Sequence, residues 1–222
     1  MSLVVGIQAG DCVVIAADTA QIGPRSERFP DSPKLFRLPG DIVLGCAGAG
    51  VVADEVAEAL QRSGKDWTIG RLSAEFKGIA TEIHRRFNAG EPIQRMPNEG
   101  YFTFAVPDGT GGRAGIFEAN PRTGYGFARA ALLNFSLQGV PDYSFVIVSR
   151  LAETGTLSIA EAKRLAALAI AETAHKGVYG VNGIMTMFVV CGRETQEIGA
   201  EECASLIAGT TRAKWHGLIS WD

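Results

Sequence analysis

The chain lacks any apolar run approaching the roughly 18 residues of a membrane span, and its start, MSLVVGIQAGD, lacks the basic n-region and long apolar core of a signal peptide. A cytoplasmic protein with no membrane partner, entering its first strand at once, is therefore expected. Clustered basic charge is missing too. Lys and Arg number 21 against 24 Asp and Glu, for a net charge of −3, and the cations are scattered, so no field for nucleic acid exists. Cysteine is scarce: Cys12, Cys46, Cys191 and Cys203 stand singly in apolar surroundings without CxxC spacing, which predicts reduced thiols and no bridges. His84, His175 and His216 have no ligand spacing, and Gly109-Thr-Gly-Gly112 lacks the Lys-Ser/Thr of a phosphate loop, so neither a metal nor another cofactor is expected. No Pro/Ser-rich or charged linker divides the 222 residues, and a hydrophobic fraction of 46% suffices for a substantial core, which predicts one domain over 1–222.

The elements follow from the patterning. Leu3–Gln8 and Cys12–Ala17 are β-branched runs around a Gly-containing turn, and Lys34–Leu38 and Asp41–Cys46 repeat the arrangement around Pro39-Gly40, so two hairpins are expected to make one sheet. Val51–Arg62 carries an apolar face at Val52, Val56, Ala59 and Leu60. After Thr68 as N-cap, Ile69, Leu72, Phe76, Ile79, Ile83 and Phe87 recur at helical steps. Tyr101–Val106, Ala114–Glu118 and Tyr125–Ala130, separated by dense turn chemistry, predict a meander forming a second sheet. Ser158-x-x-Glu161 opens a further helix as a capping box, with Ile159, Ala162, Leu165, Ala166, Ala169 and Ile170 buried, and strand Ile184–Cys191 follows. Strands, two helices, strands, helix and strand suit an α+β fold of two stacked sheets covered by helices on both outer faces.

At Ser2-Leu-Val-Val-Gly-Ile7, Val13-Val-Ile-Ala-Ala-Asp18, Lys34 and Leu44-Gly-Cys-Ala-Gly-Ala-Gly50 the chain resembles the proteasome β family of N-terminal-nucleophile (Ntn) hydrolases, and in particular its bacterial members. The four landmarks fall at that family's mutual spacings without a gap. The resemblance implies a four-layer αββα sandwich of two stacked antiparallel sheets. It implies Ser2, exposed by removal of Met1, as nucleophile, with Lys34, Asp18 and the Gly48 N–H as catalytic support. Ser32, Phe36, Cys46 and Gly50 match positions lining the specificity pocket, which would be small and mostly apolar.

The residue types suit that chemistry. A serine hydroxyl needs a base, and a free α-amine of reference pKa about 7.7–8.0 can serve within the same residue. A Lys34 ammonium lowers the amine's pKa, Asp18 holds Lys34, and a Gly48 N–H near a helix N-terminus stabilises an oxyanion. With Met1 retained, the Ser2 nitrogen is an amide and the mechanism is closed. Two features depart from the family. Its late loop with an Asp and, three residues on, a Ser reads here Lys176-Gly-Val-Tyr-Gly-Val-Asn-Gly183, and its Gly-Ser-Gly segment reads Gln138-Gly-Val-Pro-Asp-Tyr-Ser144, where Asp142 or Ser144 are possible substitutes.

The leading expectation is a serine-type peptidase cutting peptides or unfolded protein inside a ring or stacked-ring homo-oligomer, with an unfoldase ATPase as a possible partner. The alternatives are a catalytically silent scaffold of the same fold, and an Ntn amidase or acyl transferase on a small or peptide substrate. The apolar tail Ala204–Asp222 is expected to join a subunit contact.

Overall fold

The computed structural model describes residues 2–22, 28–29, 31–89, 98–109, 112–130, 134–139, 156–177, 180–192 and 194–209. β1 (Leu3–Ala9) and β2 (Cys12–Asp18) form the first hairpin, followed by a short ribbon of β3 (Gln21–Ile22) and β4 (Arg28–Phe29). β5 (Leu35–Leu38) and β6 (Ile42–Gly48) form a second hairpin, turned by Gly40 and Asp41 in left-handed backbone. Helices α1 (Gly50–Arg62) and α2 (Ile69–Asn88) lead to β7 (Gly100–Pro107), β8 (Ala114–Ala119), β9 (Ala128–Arg129) and β10 (Phe135–Gly139). Helix α3 (Ile159–His175), β11 (Met185–Cys191), β12 (Glu194–Glu197) and α4 (Ala200–Ala208) complete the order.

Two antiparallel five-stranded sheets result, with orders β10-β1-β2-β11-β12 and β5-β6-β7-β8-β9. The expectation that both hairpins share a sheet is therefore corrected. Strands apolar on both faces need partners on both edges, and each hairpin finds its own far along the chain: β10 and β11 flank the first, while β7 takes the free edge of β6. The meander extends the second sheet, and Tyr125–Ala130 contributes only the two residues of β9. The chain is still turning at Gly124 and Tyr125, both in left-handed backbone.

Alternation along each strand builds three apolar layers. Leu3, Val5 and Ile7 face the alanine-rich side of α3, while Val4 faces the other sheet with Ile15, Val43 and Ile116. Gly45 lets the sheets approach, since a Cβ there would lie 2.6 Å from Val4 Cγ1. Leu44, Phe102 and Phe104 pack against Val56, Leu60, Leu72 and Phe76 of α1 and α2, with Phe76 edge-on to both phenylalanines at 5.3 and 5.0 Å. Each such buried side chain contributes about 1.5–3 kcal/mol. Both predicted caps are present: Thr68 Oγ1 accepts from Arg71 N at 3.3 Å, and Ser158 Oγ accepts from Glu161 N at 3.2 Å while Glu161 Oε2 accepts from Ser158 N at 2.8 Å. Ile159, assigned to the buried face of α3, is instead exposed at the first turn.

The cysteine reading also needs correction. Cys12 and Cys191 are opposed in the β2–β11 register and form a disulfide across 179 residues of sequence, a pairing that spacing along the chain cannot reveal. Cys46 and Cys203 are buried free thiols. In the tail, Leu206 and Ile207 pack against the protein's own helix-side core, and residues 210–222 lie outside the described residues. Among the described residues no helix is long and apolar enough to cross a membrane.

Candidate active site

Ser2 immediately precedes β1 and is 7% exposed. Because β1 and β2 run antiparallel with Val4 opposite Ala17, the last residue of β2, Asp18, arrives beside the start of β1. Its Oδ1 accepts the Leu3 N–H at 2.8 Å, and its Oδ2 accepts the Ala20 N–H at 3.0 Å and Lys34 Nζ at 2.8 Å. Lys34 comes from the other sheet, just ahead of β5, where its carbonyl accepts the Cys46 N–H at 2.8 Å. The ion pair thus staples the two sheets at the end where the chain begins.

The pair is deeply buried, with side-chain exposures of 0% for Asp18 and 7% for Lys34. Burial pushes the Asp18 carboxyl above its ordinary value, opposed by the Lys34 charge and hydrogen bond and by the two backbone amides. Burial likewise pushes Lys34 below its ordinary value, opposed by Asp18. Each partner therefore keeps the other charged, and neither is comfortable alone.

Ser2, Lys34, Ser32, Cys46, Gly48 and Gly50 line one small cleft of about 30 Å³. Six of the eight residues singled out in the sequence are thereby brought together. Asp18 lies beneath the cleft, in contact with Lys34. Phe36 does not line it, and packs half-buried against the core under α1 and α2. Gly48 ends β6 with φ +99°, opposite Gly100, and a Cβ there would overlap the Glu99 carbonyl. Ala49 then caps α1, so the cleft wall runs into a helix N-terminus.

Sequence reasoning missed four contributors. Asp54, one helical turn after Gly50 and so on the same face, lines the cleft, with its carboxyl raised by partial burial. Gln21 lines it from β3, and nothing in its local pattern signals this. Gly139, in β10, has φ +105°, and a Cβ there would fall onto the Ser2 carbonyl oxygen. Asn182 bonds to Thr19, the residue after Asp18. Met1, Asp142 and Ser144 lie outside the described residues.

A wider cleft of about 730 Å³ opens at the far end of β1, around Gln8, Asp11, Arg113 and Arg129. Arg113 Nε is paired there with Asp11 Oδ1 at 2.7 Å, on the exposed surface. It brings no buried ion pair to a hydroxyl, as the smaller cleft does.

Two stacked antiparallel sheets between helical layers constitute the proteasome-type Ntn hydrolase fold, and here the residue just ahead of the first strand lies in a cleft beside a buried Lys–Asp pair. Structural comparison agrees and refines the placement. Similar solved structures are an Anbu (ancestral beta-subunit) protein from Yersinia bercovieri, with TM-score 0.74 and 14% identity over 97% of this chain and 94% of that one, and the helical assembly of the Anbu complex from Pseudomonas aeruginosa, with TM-score 0.75 and 18% identity over 97% and 95%. Anbu from Hyphomicrobium sp. strain MC1 follows with TM-score 0.68 and 18% identity over 99% of both chains. No protein-family model and no curated protein sequence matches the chain. These neighbours correct the placement with bacterial proteasome β subunits: Anbu proteins are proteasome-like but distinct, and at such identities the likeness establishes the fold alone.

Proposed function

We propose that the protein is an N-terminal-serine hydrolase which, once Met1 is removed, cleaves amide bonds of peptide substrates through Ser2. The observation that carries this reading is the placement of Ser2 in one cleft with Lys34, whose ammonium is held by the buried Asp18 carboxylate. In this reading the Ser2 α-amine accepts the Oγ proton as Oγ attacks the substrate carbonyl, and the nearby Lys34 charge favours the unprotonated amine. A main-chain N–H at Gly48 receives the developing oxyanion. The amine leaving group takes a proton, and water resolves the acyl-enzyme. The small cleft favours a short side chain next to the scissile bond. One neighbour's helical assembly supports a homo-oligomer for this chain as well.

A second reading, a catalytically silent subunit of the same fold, is favoured by the absence of any carboxylate between Lys176 and Gly183. One experiment separates them. The native protein, its N-terminus read by mass spectrometry and its assembly sized in the same way, is treated with a peptide β-lactone or epoxyketone. Covalent labelling at Ser2, lost in Ser2→Ala, supports the hydrolase. An unlabelled protein whose N-terminus is Ser2 establishes the silent subunit instead.

A further inference from the structure

We propose that Asn182 is a positioning residue for the Ser2 centre, filling from the late loop the supporting role that no carboxylate there can fill; this rests on the reading of Ser2 as nucleophile. Asn182 Oδ1 accepts the Thr19 N–H at 3.1 Å, and Asn182 Nδ2 donates to Thr19 Oγ1 at 3.1 Å. The two bonds grip both polar faces of the one residue between Asp18 and Ala20. Thr19 is 6% exposed, so water has little access to replace either of these two bonds. The Thr19 N–H also reaches the Ile184 carbonyl at 3.2 Å, and the Thr19 carbonyl accepts the Ser32 N–H at 2.9 Å. A continuous chain of bonds therefore runs from the late loop through Thr19 to Ser32 on the cleft wall, two residues from Lys34.

The loop is itself anchored. Gly180 takes φ +86°, turning the chain so that Val181 packs into the helix-side core and the next side chain, Asn182, faces Thr19. What the clamp controls is the direction of the Ala20 N–H, one of the three donors on the Asp18 carboxylate. Losing the two Asn182 bonds holds Thr19 less tightly, which loosens that donor and lets Asp18 turn, and Lys34 turns with it because Oδ2 holds both. Asn182 lines no part of the cleft, so its loss alters the reactivity of Ser2 while leaving ligand binding in place.

The test compares Asn182→Ala, Asn182→Asp and Thr19→Val by the rate and affinity of β-lactone labelling at Ser2, together with amide hydrogen exchange at Ala20. Asn182→Ala is expected to lower the maximal labelling rate roughly 10- to 100-fold, the cost of a small misplacement at a reacting centre, with the inhibitor's half-saturating concentration nearly unchanged. Asn182→Asp restores part of the rate, since a carboxylate still accepts the Thr19 N–H. Thr19→Val reproduces part of the loss, and combining it with Asn182→Ala adds little further. Ala20 exchange accelerates in Asn182→Ala while the amides of β1 and β6 keep their protection. An unchanged labelling rate in Asn182→Ala, or a loss that Asn182→Asp fails to restore, overturns the proposal. Should wild type not label at all, the hydrolase reading falls and the exchange experiment decides alone: an unchanged Ala20 rate refutes the clamp, and an accelerated one upholds it. If Asn182→Ala does not fold, Thr19→Val and Asn182→Asp decide by the same measurements.

Discussion

Replacing Lys34 with methionine removes a buried cation and retains the apolar stem that carries it. Asp18, fully buried, keeps the Leu3 and Ala20 amides as its donors among the described residues. Breaking a buried ion pair from one side costs about 3–5 kcal/mol, and the two surviving backbone donors place Lys34→Met near the lower figure, about 3 kcal/mol at neutral pH. Loss of Lys34 therefore moves the Asp18 carboxyl further above its ordinary value in the folded variant. The sign follows. Burial already holds the carboxyl above its unfolded value, and losing Lys34 removes the largest opposing influence. A group whose folded pKa is raised favours the folded state below its unfolded pKa, and that contribution is lost as pH rises through the folded pKa. In wild type Lys34 opposes the effect of burial, so Asp18 is raised less and gains less than in the variant as pH falls. The stability gap between wild type and Lys34→Met is thus wide at about pH 7.5 and narrows toward about pH 4.5, as urea unfolding at the two values reads directly. A gap of equal size at both, or none at the higher pH, refutes the reasoning. From the residue types alone, Lys34→Ala is expected to stop turnover with the fold intact. Burial of the pair revises that expectation, and turnover in any Lys34 variant has to be read beside its stability.

Gly139→Ala brings a Cβ onto the Ser2 carbonyl at a backbone angle that disfavours any side chain; we expect a loss of about 2–5 kcal/mol in thermal or urea unfolding and loss of Ser2 labelling, and a variant of wild-type stability and reactivity would refute it. Cys12→Ser opens a bridge spanning 179 residues, for which chain entropy sets an upper bound of about 5 kcal/mol; under non-reducing conditions its urea midpoint falls well below that of wild type, and coincident midpoints would refute a stabilising bridge.

The hairpin β1–β2, the helices α1 to α3 and both caps were legible because their signals are local: alternation, 3.6-residue periodicity and Ser or Thr placed three residues before the N–H it caps. Ser2, Lys34, Ser32, Cys46, Gly48 and Gly50 were singled out through the family resemblance, and the structure brings them to one cleft because two strands and a helix start converge there. Strand edges were not legible, because a run apolar on both faces says nothing about which neighbour completes it, and so the two hairpins parted into different sheets. The Cys12–Cys191 bridge has the same origin: register across β2 and β11 brings together residues from opposite ends of the chain. Phe36 shows the limit of spacing from the other side, since an alternating strand sends it toward the helices rather than into the cleft. Gly139, Gln21 and Asn182 reach the site only through strand pairing and loop anchoring. Sequence by itself therefore determined the local elements and which residue types stand at the chain's start, since both depend on neighbours a few residues apart. Tertiary structure alone decided what surrounds those residues, since hydrogen bonds such as Asn182 to Thr19 join residues 163 positions apart.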